Sequence, residues 1–213
     1  MQAFLNPLSK VVQQFTSVVV GFTDTPFTAQ RPSGMLGSAC ADWLLHWCDS
    51  FMLETHALRC DFAFLNQGGL RNSLPKGKVT LGNMIELMPF ENEVVILKLR
   101  GTTADSLFSY IVSRGGEPVA GMKMEADEKG KYRVYFNGKP FDKQQNYTVA
   151  TSDYLYNGGD GFNMLKNAVE KWVPQRRLRE VFIDEVKRET AAMGAIKKRK
   201  DNRIVYANEA RVH

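Results

Sequence analysis

Apolar residues recur at Leu36, Cys40, Trp43, Leu44, Trp47 and Phe51, while Ser38, Asp42, His46 and Asp49 fall mostly on the opposite side. That spacing is the period of an amphipathic helix and predicts one over 36–53. The runs at 18–22 and 61–65 read as strands, the second entering a tight loop at Asn66-Gln67-Gly68-Gly69. Thr80 stands where it can cap a short helix that reaches about Met88 and is ended by Pro89. Residues 93–100 are rich in branched side chains and predict a strand broken by Gly101. Thr102 or Thr103 then caps a helix to about Arg114, with Leu107, Phe108, Ile111 and Val112 facing inward, and Gly115-Gly116 stops it.

Strands are predicted over 119–125 and 131–136, around Asp127-Glu128-Lys129-Gly130, and Asn137-Gly138 is a strong hairpin signal. A strand over 147–151 leads to the glycine-rich loop Asn157-Gly158-Gly159-Asp160-Gly161. A last helix over 176–193 turns Leu178, Val181, Phe182 and Val186 to the core, and a strand over 203–206 closes the chain. Helices and strands alternate, yet hairpins also occur. That mixture favours an α/β or α+β domain with mixed β-sheets flanked by helices over a purely doubly wound fold.

The length of 213 residues fits one domain, 1–213, with its core at about 18–206, large enough to bury that core without staples. No apolar run reaches the length of a membrane helix, so no membrane span is expected. The start at Met1-Gln2-Ala3 carries no signal peptide, as would also be true after removal of a leader. Three cysteines without a CxxC signal neither a disulfide framework nor a zinc site; Cys40 and Cys48 fall on the helical pattern as small hydrophobes.

The net charge of +5 is carried by the tail 175–213, where eleven Lys and Arg face six acids. The cluster Lys197-Lys198-Arg199-Lys200 can attract nucleic acid. With no aromatic residues interleaved as a stacking platform, a solvated turn between helix and strand is the better reading.

Three loops can carry chemistry. In Asn66-Gln67-Gly68-Gly69-Leu70-Arg71 the paired glycines allow close backbone approach, Asn66 both donates and accepts, and Arg71 offers a planar fork for phosphate or carboxylate. A Gly-Gly turn taken alone is more often structural. In Met88-Pro89-Phe90-Glu91-Asn92, Phe90 is either a hydrophobic plug or an exposed ring on which a base stacks. In Tyr154-Leu155-Tyr156-Asn157-Gly158-Gly159-Asp160-Gly161-Phe162 the glycines frame a carboxylate that can accept from ribose hydroxyls, or serve as a turn residue.

Taken together and in this order, these motifs resemble the C-terminal domain of the 5′-nucleotidase family, which includes bacterial periplasmic UDP-sugar hydrolases and animal ecto-5′-nucleotidases. Met35-Leu36-Gly37, Leu74-Pro75-Lys76-Gly77-Lys78-Val79-Thr80, Leu99-Arg100-Gly101 and Tyr147-Thr148-Val149-Ala150-Thr151 extend the resemblance over about 18–206. The resemblance implies a domain that binds the nucleoside part of a substrate between two aromatic rings, at Phe90 and Tyr154. Tyrosine departs there from the usual phenylalanine but keeps a flat π face. It implies Asp160 on the ribose, and Asn66 and Arg71, with Gly68 and Gly69 between them, toward the base edge or phosphate. The family's arginine before the first helix falls on Gln30, with Arg31 one residue later as the candidate for that role.

Hydrolysis in the family depends on a separate metallophosphatase domain whose divalent metals activate water. The three histidines, His46, His56 and His213, stand apart from one another and in no ligand spacing, and no activated Ser or Cys nucleophile is visible. The expectation is a substrate-binding domain or subunit for nucleotide catabolism, without catalytic residues or metal of its own. Its partner would be a metallophosphatase, encoded separately or in the same longer chain. A non-catalytic interaction or sensor domain and autonomous hydrolysis by an unrecognised site are the rival readings. A periplasmic or secreted location follows from the resemblance alone, and a cytoplasmic one stays open.

Overall fold

A computed structural model describes residues 11–32, 34–199 and 202–207. Met1-Gln2-Ala3, Lys200, Asp201, Glu209, Arg211 and His213 lie outside them. Its strands and helices are β1 (Val19–Thr23), α1 (Met35–His56), β2 (Phe62–Phe64), β3 (Gly77–Thr80), α2 (Leu81–Leu87), β4 (Val94–Arg100), α3 (Gly101–Ser113) and β5 (Val119–Ala120). They continue with β6 (Lys123–Asp127), β7 (Tyr132–Phe136), β8 (Lys139–Pro140), β9 (Asn146–Ser152), α4 (Asp153–Tyr156), β10 (Glu170–Trp172), α5 (Leu178–Met193) and β11 (Ile204–Ala207).

A mixed five-stranded sheet in the order β10-β4-β9-β2-β5 forms the centre. Within it β9 runs parallel to β2 and antiparallel to β4. Successive strand residues point to opposite faces. Ala63, Val94, Ile96 and Ala150 therefore join one buried cluster under α1 and α5. Their neighbours Phe62, Phe64, Val95, Leu97 and Val149 join a second cluster with α3 and the outer sheet. Burial on both faces explains why these strands are continuously apolar instead of alternating. The outer sheet, β11-β6-β7-β8, has β11 parallel to β6, and β1 pairs with β3 in a separate antiparallel ribbon. The expected class, mixed sheets flanked by helices, is the one found.

Several local expectations need correction. The strand expected over 119–125 is two strands in two different sheets. Gly121 turns the chain between them at φ 79°, where a Cβ would come within 2.4 Å of the Asp61 carbonyl oxygen. Neither Thr102 nor Thr103 caps α3; Gly101 is its first residue, and its N–H donates to Gln145 O at 2.7 Å. Thr80 does cap α2, with Asn83 closing a reciprocal capping box. The helix expected from Arg176 starts at Leu178, with Arg177 as its N-cap. Asn137-Gly138 makes the predicted hairpin, joining β7 to the short β8, whereas β3 and β10 have no clear local pattern.

Nor is the polar side of α1 simply solvated. Ser38 is buried with no hydrogen-bond partner for its hydroxyl among the described residues, and Asp42 pairs with Arg199 at 3.0 Å and Arg203 at 2.7 Å. Likewise the basic turn after α5 is not fully solvated. The Arg199 side chain is 6% exposed and paired with Glu189, because its charge neutralises acids from two helices. Cys40, Cys48 and Cys60 are free and buried.

Candidate functional site

Three segments at one end of the central sheet enclose a cleft of ≈ 270 Å³, lined by Asn66, Gly68, Gly69, Arg71, Phe90, Asn92, Tyr154 and Asp160. All three sequence-predicted loops thus reach one place.

Asn66 follows β2 and is almost fully buried, and its Nδ2 donates to Asp160 Oδ2 at 2.8 Å. Asp160 sits at φ 51° and ψ 21°, in the left-handed region that disfavours side chains other than Asn and Asp. Hydrogen bonds hold it there. Its carbonyl oxygen accepts from Tyr110 Oη at 2.9 Å and Arg114 Nη1 at 3.2 Å. Its Oδ1 accepts from the Tyr154 hydroxyl at 2.8 Å, and its Oδ2 lies 3.4 Å from Arg114 Nη2. The hydrogen bond to Asp160 raises the Tyr154 hydroxyl above the ordinary phenol pKa. A non-glycine residue held in this conformation by so many donors is the kind of local constraint found at binding sites.

The two rings come from different elements. Phe90 follows the Pro89 that ends α2, and its loop is held by Arg179, which donates to Met88 O at 3.0 Å and pairs with Glu91. Arg177 adds a second contact to Glu91 at 2.8 Å. The Arg179 hydrogen bond holds the Glu91 carboxyl below its ordinary pKa. Tyr154 stands on α4, whose N-cap Ser152 accepts from Leu155 N–H. Gly159 lets its ring lie close: a Cβ there would be 2.5 Å from ring atoms Cε1 and Cζ. Phe90 and Tyr154 are each 43% exposed, so neither is the hydrophobic plug that a buried aromatic would be. Arg71 has no carboxylate partner among the described residues; its guanidinium makes a 3.4 Å contact to Gly68 O.

Arg31 does not line the cleft. Its guanidinium donates to the Arg114 and Gly116 carbonyl oxygens and pairs with Glu117 at 3.1 Å. Glu117 is buried and is the hub behind the site. It accepts from Arg114 Nε at 2.7 Å and from Gln67 N–H at 2.6 Å, which ties the loop after β2 to the end of α3. Arg114 then reaches Asp160. Sequence reasoning missed Glu117, Arg114, Tyr110 and Asn92. Glu117 lies between Gly116 and Pro118 with no spacing that marks it, and Arg114 reads as an ordinary helix end.

No group of three or more His, Cys, Asp or Glu side chains is arranged to hold a metal among the described residues. His46 Nδ1 lies 2.9 Å from Glu185 Oε1, and His56 packs against Phe51 and Trp172. Among the described residues, no helix is long and apolar enough to cross a membrane.

Among known proteins, the chain is similar to protein UshA of Yersinia enterocolitica, 29% identical over 107 residues, covering 48% of this chain and 20% of that protein. It is also similar to an apyrase of Aedes albopictus, 28% identical over 189 residues, covering 79% of this chain and 33% of the apyrase. It spans only a fifth to a third of these relatives. The solved structure of a 5′-nucleotidase precursor from Thermus thermophilus shares the fold over 98% of this chain and 43% of its own, with TM-score 0.81 and 24% identity. The family model described as 5′-nucleotidase, C-terminal domain, matches residues 19–167. With most of its length matched by that model, the chain belongs to the family of 5′-nucleotidase C-terminal domains.

Proposed function

We propose that the cleft binds the nucleoside part of a nucleotide, as the recognition half of a 5′-nucleotidase-type phosphohydrolase. The observation that carries this reading is the pairing, in one small cleft, of two half-exposed rings with a conformationally held carboxylate. A flat base stacks on Phe90 and Tyr154. The sugar hydroxyls donate to Asp160. Asn66 and the Arg71 guanidinium, which has no carboxylate partner among the described residues, face the polar end of the ligand, with Gly68 and Gly69 keeping the loop backbone accessible. Arg31 acts only at a distance, through Glu117 and Arg114.

Cleavage of the phosphate ester then belongs to a metallophosphatase domain or subunit, whose divalent metals supply the activated water and stabilise the developing charge. Nucleotide catabolism and a periplasmic or secreted location are part of the same proposal. Calorimetric titration with adenosine, AMP and UMP, without metal, tests it. Saturable binding is expected, with affinity lowered about five- to a hundredfold in Phe90→Ala, the value of one stacked base. Absence of binding by all three ligands would favour a non-catalytic interaction or sensor domain. Phosphate release by the isolated chain with added Mn²⁺ or Zn²⁺ would expose a catalytic site in this domain and overturn the division of labour.

A further inference from the structure

The Tyr154 hydroxyl occupies one acceptor position of Asp160. An ionised carboxylate offers about four acceptor positions, two on each oxygen. On Oδ2 both are taken, by Asn66 Nδ2 at 2.8 Å and by Arg114 Nη2 at 3.4 Å. On Oδ1 one is taken by the Tyr154 hydroxyl at 2.8 Å. One sugar hydroxyl can therefore dock without disturbing the protein. A cis-diol that donates both hydroxyls needs a position already filled.

Of the three internal donors, Tyr154 is the one able to leave. Asn66 is almost fully buried, and the Arg114 guanidinium is fixed by Glu117, whereas the Tyr154 residue is 43% exposed. The phenol oxygen cannot retreat without its ring, because it lies rigidly in the ring plane. Rotating only the O–H proton would aim an oxygen lone pair at a carboxylate oxygen. The ring rests against Gly159 on one side, so it can move only away from that residue. Release of the second acceptor position and movement of the stacking platform are thus one event.

From this geometry, and resting on the nucleoside reading of the cleft, we infer that the Tyr154 hydroxyl is a specificity-determining group that narrows the preference for ribonucleosides over 2′-deoxyribonucleosides. A ribose diol must displace it, whereas a deoxyribose bearing one hydroxyl at that edge does not. A phenylalanine at 154 would keep the ring and free the acceptor.

The test is calorimetric titration of the full chain and of Tyr154→Phe with adenosine and 2′-deoxyadenosine, with thermal midpoints measured for both proteins. The ratio of the two dissociation constants is the readout, because a merely structural change would move both ligands together. The expected result is a ratio that rises about tenfold in favour of adenosine in Tyr154→Phe, the worth of one hydrogen bond to a charged group. Binding by both proteins with an unchanged or reduced ratio would overturn this inference and leave the cleft reading standing. No binding of either nucleoside by either protein would remove both.

Discussion

At the scale of single residues the cleft is defined by what holds Asp160 and Tyr154. Gly159 has little latitude, since a methyl group would meet the tyrosine ring 2.5 Å away. Gly159→Ala should displace the ring and lower adenosine affinity at least about fivefold, the lower end of what one aromatic–base stack contributes. Calorimetry reads the affinity, and a retained circular dichroism spectrum shows that the fold persists. Glu117 is a different case. It is buried and serves two guanidinium groups and a backbone N–H, so Glu117→Ala strands three donors at once. Only Glu117 of these groups is buried, and both guanidinium partners keep contact with solvent, so the cost should fall below that of a fully buried pair, at about 1–3 kcal/mol. That loss should appear in urea unfolding, accompanied by weaker nucleoside binding because Arg114 no longer has a fixed anchor beside Asp160.

At the scale of elements, charge ties the chain's later segments to its first long helix. Trp43 Nε1 of α1 donates to Glu189 Oε1 of α5 at 3.2 Å, and Arg199 from the following turn pairs with both Glu189 and Asp42. Burial would raise the Glu189 carboxyl, but hydrogen bonds from Arg199 and the Lys197 N–H outweigh it and hold its pKa below the ordinary value. A folded-state pKa below the unfolded one stabilises the protein above the unfolded value of about 4.3, and the contribution is lost as pH falls through the folded value. Glu189→Gln should therefore be less stable than the parent at neutral pH, and the gap should close on acidification below about pH 4. Thermal midpoints measured from pH 7 downward check this; a gap that persists unchanged at low pH would assign the loss to packing instead.

At the scale of the whole molecule, two hydrophobic clusters share one sheet. Because β2, β4 and β9 send alternate residues to each, neither cluster can form without the strands of the other. Unfolding should be a single transition. The three tryptophans, Trp43, Trp47 and Trp172, all belong to or pack on the cluster under α1 and α5, so fluorescence reports that face alone. Phe182→Ala, on that face, and Phe108→Ala, on the other, should each cost about 3–5 kcal/mol. Both should move the fluorescence and circular dichroism midpoints together. A Phe108→Ala protein whose fluorescence transition stayed in place would show two independent cores.

Much of this was legible in the residue pattern. Period and capping predict α1, α2 and α5, since such signals act within a turn or two of chain, and the glycine-rich loops with their Asn, Phe and Asp mark the cleft. Local pattern failed where partners are distant. The split at Gly121 is set by the approach of the Asp61 carbonyl, and β3 and β10 exist because β1 and β4 supply their hydrogen bonds. Arg199 reads as one more charge in a basic run until Asp42 and Glu189 are folded beside it. Arg31 reads as a ligand contact until Glu117, 86 residues later, claims it. The loops that line the cleft are marked by their own conformational demands, which adjacent residues reveal. Which charges pair and which stay free depends on which segments meet, and the tertiary structure alone decided that.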